Sequence, residues 1–333
     1  HRDLHSFPTR RSSDLSGNTP IVSVIIPTYN RAAVLPRAID SVLAQSFTHW
    51  EIIVVDDGST DNTRAVVKRY SARGIAIRYF WQENKKQAAA RNLGIRYAVG
   101  EYIAFLDSDD AWLPKKIEKQ VAILDQNAEV GMVYGNQLNV TDENDPGTLR
   151  YATGHLKSGN IFHDLIRRRF YCSTQTILVR KTVLDKVGWF DEQFANALED
   201  WELTLRIAWK YPVACIDEPV VRRYENTHCS REYALLRAKN HQSILENILA
   251  YFDMPDYEQK QIWKGAWFAW GTSFLENRFY LKSIECFAQA LRRGHRFAVP
   301  AMFLGFLGPV GCWTYRSIQK PARRKKDIIK NEH

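Results

Sequence analysis

From Ile21 onward, apolar runs and polar breaks alternate regularly. Val22 to Ile26 is a short β-branched run stopped by Pro27, the pattern of a strand buried on both faces. Arg31 to Gln45 follows, with Val34, Leu35, Ala38, Ile39, Val42 and Leu43 at helical spacing. Glu51 to Val55 and Ile75 to Phe80 read as the second and third strands, and Tyr102 to Leu106 as the fourth. Thr60 to Arg73 and Gln87 to Val99 read as the second and third helices. Strands alternating with such helices predict βαβ units, hence an α/β, Rossmann-like and mainly parallel sheet with flanking helices.

In a sheet of this kind, ligands sit beyond the carboxyl ends of the strands. The loops at those ends are polar: PTYN (Pro27 to Asn30), DDGSTD (Asp56 to Asp61) and DSDD (Asp107 to Asp110). Any one of them is ordinary turn and cap chemistry. Three at corresponding strand ends point to a ligand. Asp107, Asp109 and Asp110 would repel one another unless a cation neutralised them, and Mg²⁺ or Mn²⁺ commonly bridges protein carboxylates to a diphosphate. After an extended strand, the Asp-x-Asp spacing puts Asp107 and Asp109 on one side and Ser108 on the other. Asp57 could accept from a base N–H, and Arg91 offers a fork for phosphate or a base carbonyl. Asp56 reads as a loop-fixing residue, and Asn84, Lys85 and Lys86 as an exposed charged loop. Metal, diphosphate and base together describe an activated nucleotide.

Charge alters the picture in one place. The 333 residues carry 46 Lys+Arg against 37 Asp+Glu, a formal net charge of +9. From Arg316 to the end, seven basic residues face only Asp327 and Glu332, so the tail holds +5 of that excess. The remainder is nearly balanced, which argues against a nucleic-acid groove along the body. At 45% hydrophobic and 25% charged, the chain is neither disordered nor polytopic in a membrane. Its five cysteines are odd in number and form no Cys-x-x-Cys pair, which favours a reduced, cytosolic setting. Residues 1–19 lack an apolar signal core and read as a disordered leader or as a stretch foreign to the protein.

Beyond Arg231 the chain turns to helices rich in Leu, Ile, Trp and Phe. The expected domains are therefore 20–230, a helical region at 231–296, and a terminal piece at 297–333. Trp267, Trp270, Gly271, Phe274, Ser283, Phe287 and Ala290 match one tetratricopeptide-like helix pair, whose simpler reading is a packed hairpin. Phe297 to Tyr315 is uncharged for nineteen residues but is broken by Gly308-Pro309. With the basic tail behind it, the segment reads as an interfacial or re-entrant anchor on anionic lipid, or as a buried terminal helix.

The motifs PTYN, VVDDGSTD, AAARNLGI, FLDSDD followed by Trp112-Leu113-Pro114, and GWFDE with LEDWEL resemble the inverting family 2 glycosyltransferases. They span Val22 to Ser230. The resemblance implies a GT-A fold and a donor that is a nucleotide sugar, usually of uridine diphosphate. It implies that Pro27, Tyr29, Asp57 and Arg91 contact the nucleotide, that Asp107 lies near the ribose, and that Asp109 binds Mn²⁺ or Mg²⁺. His228 occupies a place where related enzymes carry a histidine near the metal and diphosphate. Asp200 would be the catalytic base, with Glu199 beside it orienting the acceptor; on the residues alone, Asp200 could equally N-cap the helix running to Lys210. Cys172 to Thr176 would line the acceptor cleft. The acceptor would be a glycan or lipid-linked saccharide, and the protein would be cytoplasmic, peripheral on the cytosolic face of a membrane. A nucleotidylyltransferase and a non-catalytic adaptor built on the helical half are the competing readings.

Overall fold

The computed structural model describes residues 19–194, 197–224, 231–295 and 297–307. His228, the leader and the basic tail lie outside these residues. The chain divides into two compact units at residue 227.

The first unit is built on a nine-stranded sheet. Its parallel part comprises β1 (Val22–Thr28), β2 (Trp50–Asp56), β3 (Ile77–Trp81) and β4 (Tyr102–Phe105), in the order β3-β2-β1-β4. Helices α1 (Leu35–Leu43), α2 (Thr63–Ser71) and α3 (Lys86–Tyr97) supply the crossovers. Both faces of β1 and β2 are covered, which is why their sequences are continuous apolar runs without alternation. Val22, Val24 and Ile26 pack with Leu35, Ile39 and Val42 of α1. Against Ile25, α3 presents Gly94, where a Cβ would stand 2.4 Å from Ile25 Cγ2. A small residue here sets how closely the helix lies on the sheet.

β1 does not stop at Pro27 but runs on to Thr28. Ile25 C=O accepts from Leu106 N–H on the β4 side, whereas Thr28 C=O accepts from Asp57 N–H on the β2 side. Pro27 shares the parity of Ile25, so its missing donor faces β4, whose pairing has already ended at Phe105. The first helix also starts later than its periodicity suggests, because residues 31–34 form a turn and Pro36 sits in the first helical turn.

The rest of the sheet is mixed. It contains β5 (Ala111–Trp112), β6 (Met132–Val140), β7 (Thr148–Leu149), β8 (Leu178–Arg180) and β9 (Val213–Tyr224). β8 joins β4 and β6 antiparallel, β6 pairs with β9 in parallel, and β5 returns antiparallel on β9. Helices α4 (Lys116–Gln126), α5 (Phe162–Ile166), α6 (Lys181–Val187) and α7 (Glu199–Lys210) accompany these strands. α7 presents its N-terminus to the site described below.

The second unit contains α8 (Arg231–Tyr251), α9 (Asp256–Glu276), α10 (Tyr280–Arg292) and α11 (Ala298–Phe306). Trp270 Nε1 donates to His241 Nδ1 at 2.8 Å, joining α9 to α8. Gly271 lets α9 meet α10, since a Cβ there would lie 2.6 Å from the Phe287 ring. The tetratricopeptide-like spacing therefore describes a packed helix pair. No helix of the described residues is long and apolar enough to cross a membrane.

Gly100 tests how tightly the parallel sheet is wound. A Cβ there would fall 2.6 Å from the backbone nitrogen of Ser23. Gly100→Ala should lower unfolding free energy by about 1–3 kcal/mol in a urea titration. A loss near zero would show that this turn can shift without disturbing β1.

Candidate active site

The loops after β1, β2 and β3 are bound to one another. Asn30, in a left-handed conformation (φ 51), accepts from Thr60 N–H at 2.8 Å and donates its own N–H to Ser59 Oγ at 2.8 Å. Asp61 accepts from Ala32 N–H at 3.0 Å. Asp56 accepts from Ser59 N–H and from the Tyr79 hydroxyl, and so fixes the loop as expected.

Asp57 has a similar occupation. Its oxygens accept from Gln82 Nε2 at 2.7 Å and from the backbone N–H groups of Lys85 and Lys86 at 2.8 Å each. The carboxylate read from sequence as a base acceptor holds the β3–α3 loop in this structure. Asn84, Lys85 and Lys86 are exposed there. Within PTYN, Pro27 is buried in β1, whereas Tyr29 is 49% exposed.

Arg91 is buried and its guanidinium is engaged on two sides. Nη1 donates to Glu199 Oε1 at 2.7 Å, and Nη2 donates to Asp107 Oδ1 at 2.9 Å. Gln87 Oε1 accepts from Nη2 at 3.3 Å. Burial opposes the charge, but Asp107, Glu199 and Asp200 outweigh it and raise the pKa. The fork expected to meet the nucleotide instead joins the carboxylate loop after β4 to the start of α7.

Asp107 and Asp109 are partly exposed and Asp110 is buried. Asp109 pairs with Arg31 at 3.3 Å, and its backbone oxygen accepts from Arg37. Asp110 accepts from Tyr224 N–H at 3.0 Å. Burial, followed by the charges of Asp107 and Asp109, pushes the Asp110 carboxyl well above its usual range.

At the other end of the clamp, Leu198 takes the cap position of α7 in a left-handed conformation (φ 72). Asp200 therefore lies inside the first turn and is not the cap. Its Oδ1 accepts from Trp201 N–H at 2.9 Å and from the Tyr171 hydroxyl, and its Oδ2 accepts from Thr174 Oγ1 at 3.1 Å. The carboxylate is thus oriented by two hydroxyls and sits at the positive end of a helix dipole. Glu199 does not share this setting. It is buried on Arg91, and burial raises its pKa, partly offset by the Arg91 charge.

Thr174 belongs to the segment expected on the acceptor side, whereas Tyr171 lies just before it and carries no sequence signal of its own. Arg31 and Arg37 were likewise invisible as partners of Asp109, since only the folded loops bring them together. Among the described residues no group of three or more His, Cys, Asp or Glu could cage a metal. The donor set still suits Mg²⁺ or Mn²⁺, which are commonly held by one or two carboxylates plus substrate phosphates. The Arg31 guanidinium beside Asp109 shows that the loop accommodates a cation.

The mixed sheet with its flanking helices is of GT-A type, with a carboxylate loop after its fourth strand and a second acid at the start of α7. Residues 23–188 match the family described as glycosyl transferase family 2, and the chain belongs to that family. An uncharacterized glycosyltransferase of Nostoc sp. is 37% identical over 171 residues, half of this chain and 52% of the relative. The Escherichia coli UDP-Glc:alpha-D-GlcNAc-diphosphoundecaprenol beta-1,3-glucosyltransferase WfgD is 43% identical over 117 residues, 35% of this chain and 45% of that protein. The mannosyltransferase PcManGT of Pyrobaculum calidifontis, solved with GDP-Man and Mn²⁺, superposes with a TM-score of 0.59 at 20% identity. That match covers the whole of this chain and 91% of the other, and it speaks to the fold alone. The chain spans 37% to 61% of the length of the first curated relatives it matches.

The raised pKa of Glu199 has a measurable consequence. The folded carboxyl binds its proton more tightly than the unfolded one near 4.5, so its contribution to stability is full below that pH. The contribution is lost as pH rises through the folded value. Relative to wild type, Glu199→Gln should therefore gain unfolding free energy as pH rises from 4.5 in urea titrations. A flat or falling difference would show that Arg91 keeps the carboxylate ionised throughout.

Proposed function

We propose that the protein is a metal-dependent inverting glycosyltransferase. It moves a sugar from a nucleoside diphosphate, with uridine diphosphate the leading donor, to a hydroxyl of a glycan or lipid-linked acceptor at the cytosolic face of a membrane. The observation that carries this reading is the Arg91 clamp, which ties the Asp107–Asp110 loop to the helix start that bears Asp200. Donor chemistry and acceptor chemistry are thereby held in one piece. The UDP-Glc named for the WfgD relative supports the uridine donor.

In this mechanism Asp200 takes the proton of the acceptor hydroxyl as its oxygen attacks the anomeric carbon. Tyr171 and Thr174 hold the carboxylate so that an unoccupied lone pair faces the incoming hydroxyl. Attack from the side opposite the diphosphate inverts the centre, so an α-linked donor gives a β-glycoside. Asp109 would hold Mn²⁺ or Mg²⁺, which when bound supplies charge to offset the departing diphosphate. Asp107 lies by the ribose, and Tyr29 offers its exposed ring to the nucleotide. Asp57 and Arg91 act through the loops they shape, Pro27 through the strand it lies in, and Glu199 as a positioning residue through Arg91.

The test is a panel of nucleotide sugars with Mn²⁺ and a pool of lipid-linked saccharide acceptors. Nucleoside diphosphate release is expected, and Asp200→Asn should lower kcat by about 10²–10⁴-fold. Pyrophosphate release would establish a nucleotidylyltransferase instead. An Asp200→Asn protein with near-normal transfer would remove Asp200 from the mechanism.

A further inference from the structure

α11 has no polar face. Ala298, Ala301 and Gly305 are buried within the helical unit, Gly305 so closely that a Cβ would lie 2.8 Å from Ile284 Cγ1 of α10. On the open side, Val299, Phe303, Phe306 and Leu307 recur at helical spacing and are 40%, 63%, 65% and 56% exposed. A helix apolar all round belongs in a wholly apolar environment. Here the described residues cover one side only, and four neighbouring large side chains exposed on one stripe mark an interaction site.

Charge decides between the possible occupants. Exposed Arg292 and Arg293 stand just ahead of the stripe. From Phe297 the sequence runs uncharged to Tyr315, and seven Lys and Arg follow among the last eighteen residues. A second copy docked face to face would bring two such basic tails together. Anionic lipid instead satisfies both features, with apolar side chains entering the acyl boundary and basic ones meeting the headgroups. A nine-residue helix is too short to span a bilayer.

We propose that the Val299, Phe303, Phe306 and Leu307 face of α11 lies in the interfacial layer of an anionic membrane. This rests on the membrane-surface reading above and names the side chains that make the contact. It requires neither donor nor turnover.

The full chain is floated with vesicles of phosphatidylglycerol and phosphatidylcholine, and with phosphatidylcholine alone. Co-flotation with the anionic vesicles at low salt is expected, weakening as salt rises. The double variant Phe303→Ser/Phe306→Ser changes exposed side chains, and its thermal melt checks that it folds. It should bind anionic vesicles at least tenfold more weakly. Absence of binding, wild-type binding by a folded double variant, or a dimer in size-exclusion chromatography that the double variant abolishes would each overturn the proposal. If the double variant fails its melt, Val299→Ser/Leu307→Ser is judged by the same flotation. Sugar transfer is measured on the same samples: its loss with intact flotation counts against the transferase reading alone, and the reverse against the lipid contact alone.

Discussion

One buried guanidinium holds the site together. Arg91 lies within the protein with Asp107 on one side and Glu199 on the other. Leaving Arg91 without its partners would strand a charge in low dielectric, so the pairing is compulsory once α3 packs on the sheet. The compulsion passes along the chain. Asp107 belongs to the same four-residue loop as Asp109, and Glu199 adjoins Asp200. The Asp107–Asp110 loop and Asp200, far apart in sequence, are set in register by a side chain that need touch neither substrate. The small face of α3 makes this possible, since Gly94 lets the helix, and with it Arg91, sink against Ile25.

The parallel half of the sheet was legible because both of its faces are covered. Continuous β-branched runs and helical spacing then report the same layered structure, and the polar loops fall at the strand ends as topology requires. The mixed half was not. β8 is three residues long and β5 two, too short to carry a period, and their pairing depends on contacts distant in sequence. Pro27 misled for a local reason, since proline disrupts a ladder only where a neighbouring acceptor waits and here β4 has ended.

At the site, sequence pointed to loops that the fold brings together, but it did not reveal the partners their side chains have within the protein. Asp57 and Arg91 are the residue types that bind a nucleotide, and they are equally the types that bind backbone N–H groups and carboxylates. Nothing in spacing separates the two. Burial separates them, and burial is a tertiary property. Tyr171 shows the converse. Its hydroxyl reaches Asp200 because the fold brings the 171–176 segment, with a short 3-10 turn at Thr174–Thr176, to the start of α7, and a lone tyrosine before a cysteine carries no signal for that.

The three acids of the loop after β4 were expected to repel one another until a cation arrived. Without any ligand, each is accommodated by a different means. Asp107 has Arg91, Asp109 has Arg31, and Asp110 is buried beneath the other two with Tyr224 N–H, its ionised form disfavoured by burial and by their charges. These means differ in permanence. Arg91 is enclosed and will stay, whereas Arg31 is 46% exposed at the side chain and is held only on a long, flexible stem. Of the three carboxylates, Asp109 is therefore the one whose neutralising partner can be exchanged at least structural cost. A loop built in this way keeps two acids fixed and leaves the third beside an exposed, exchangeable arginine.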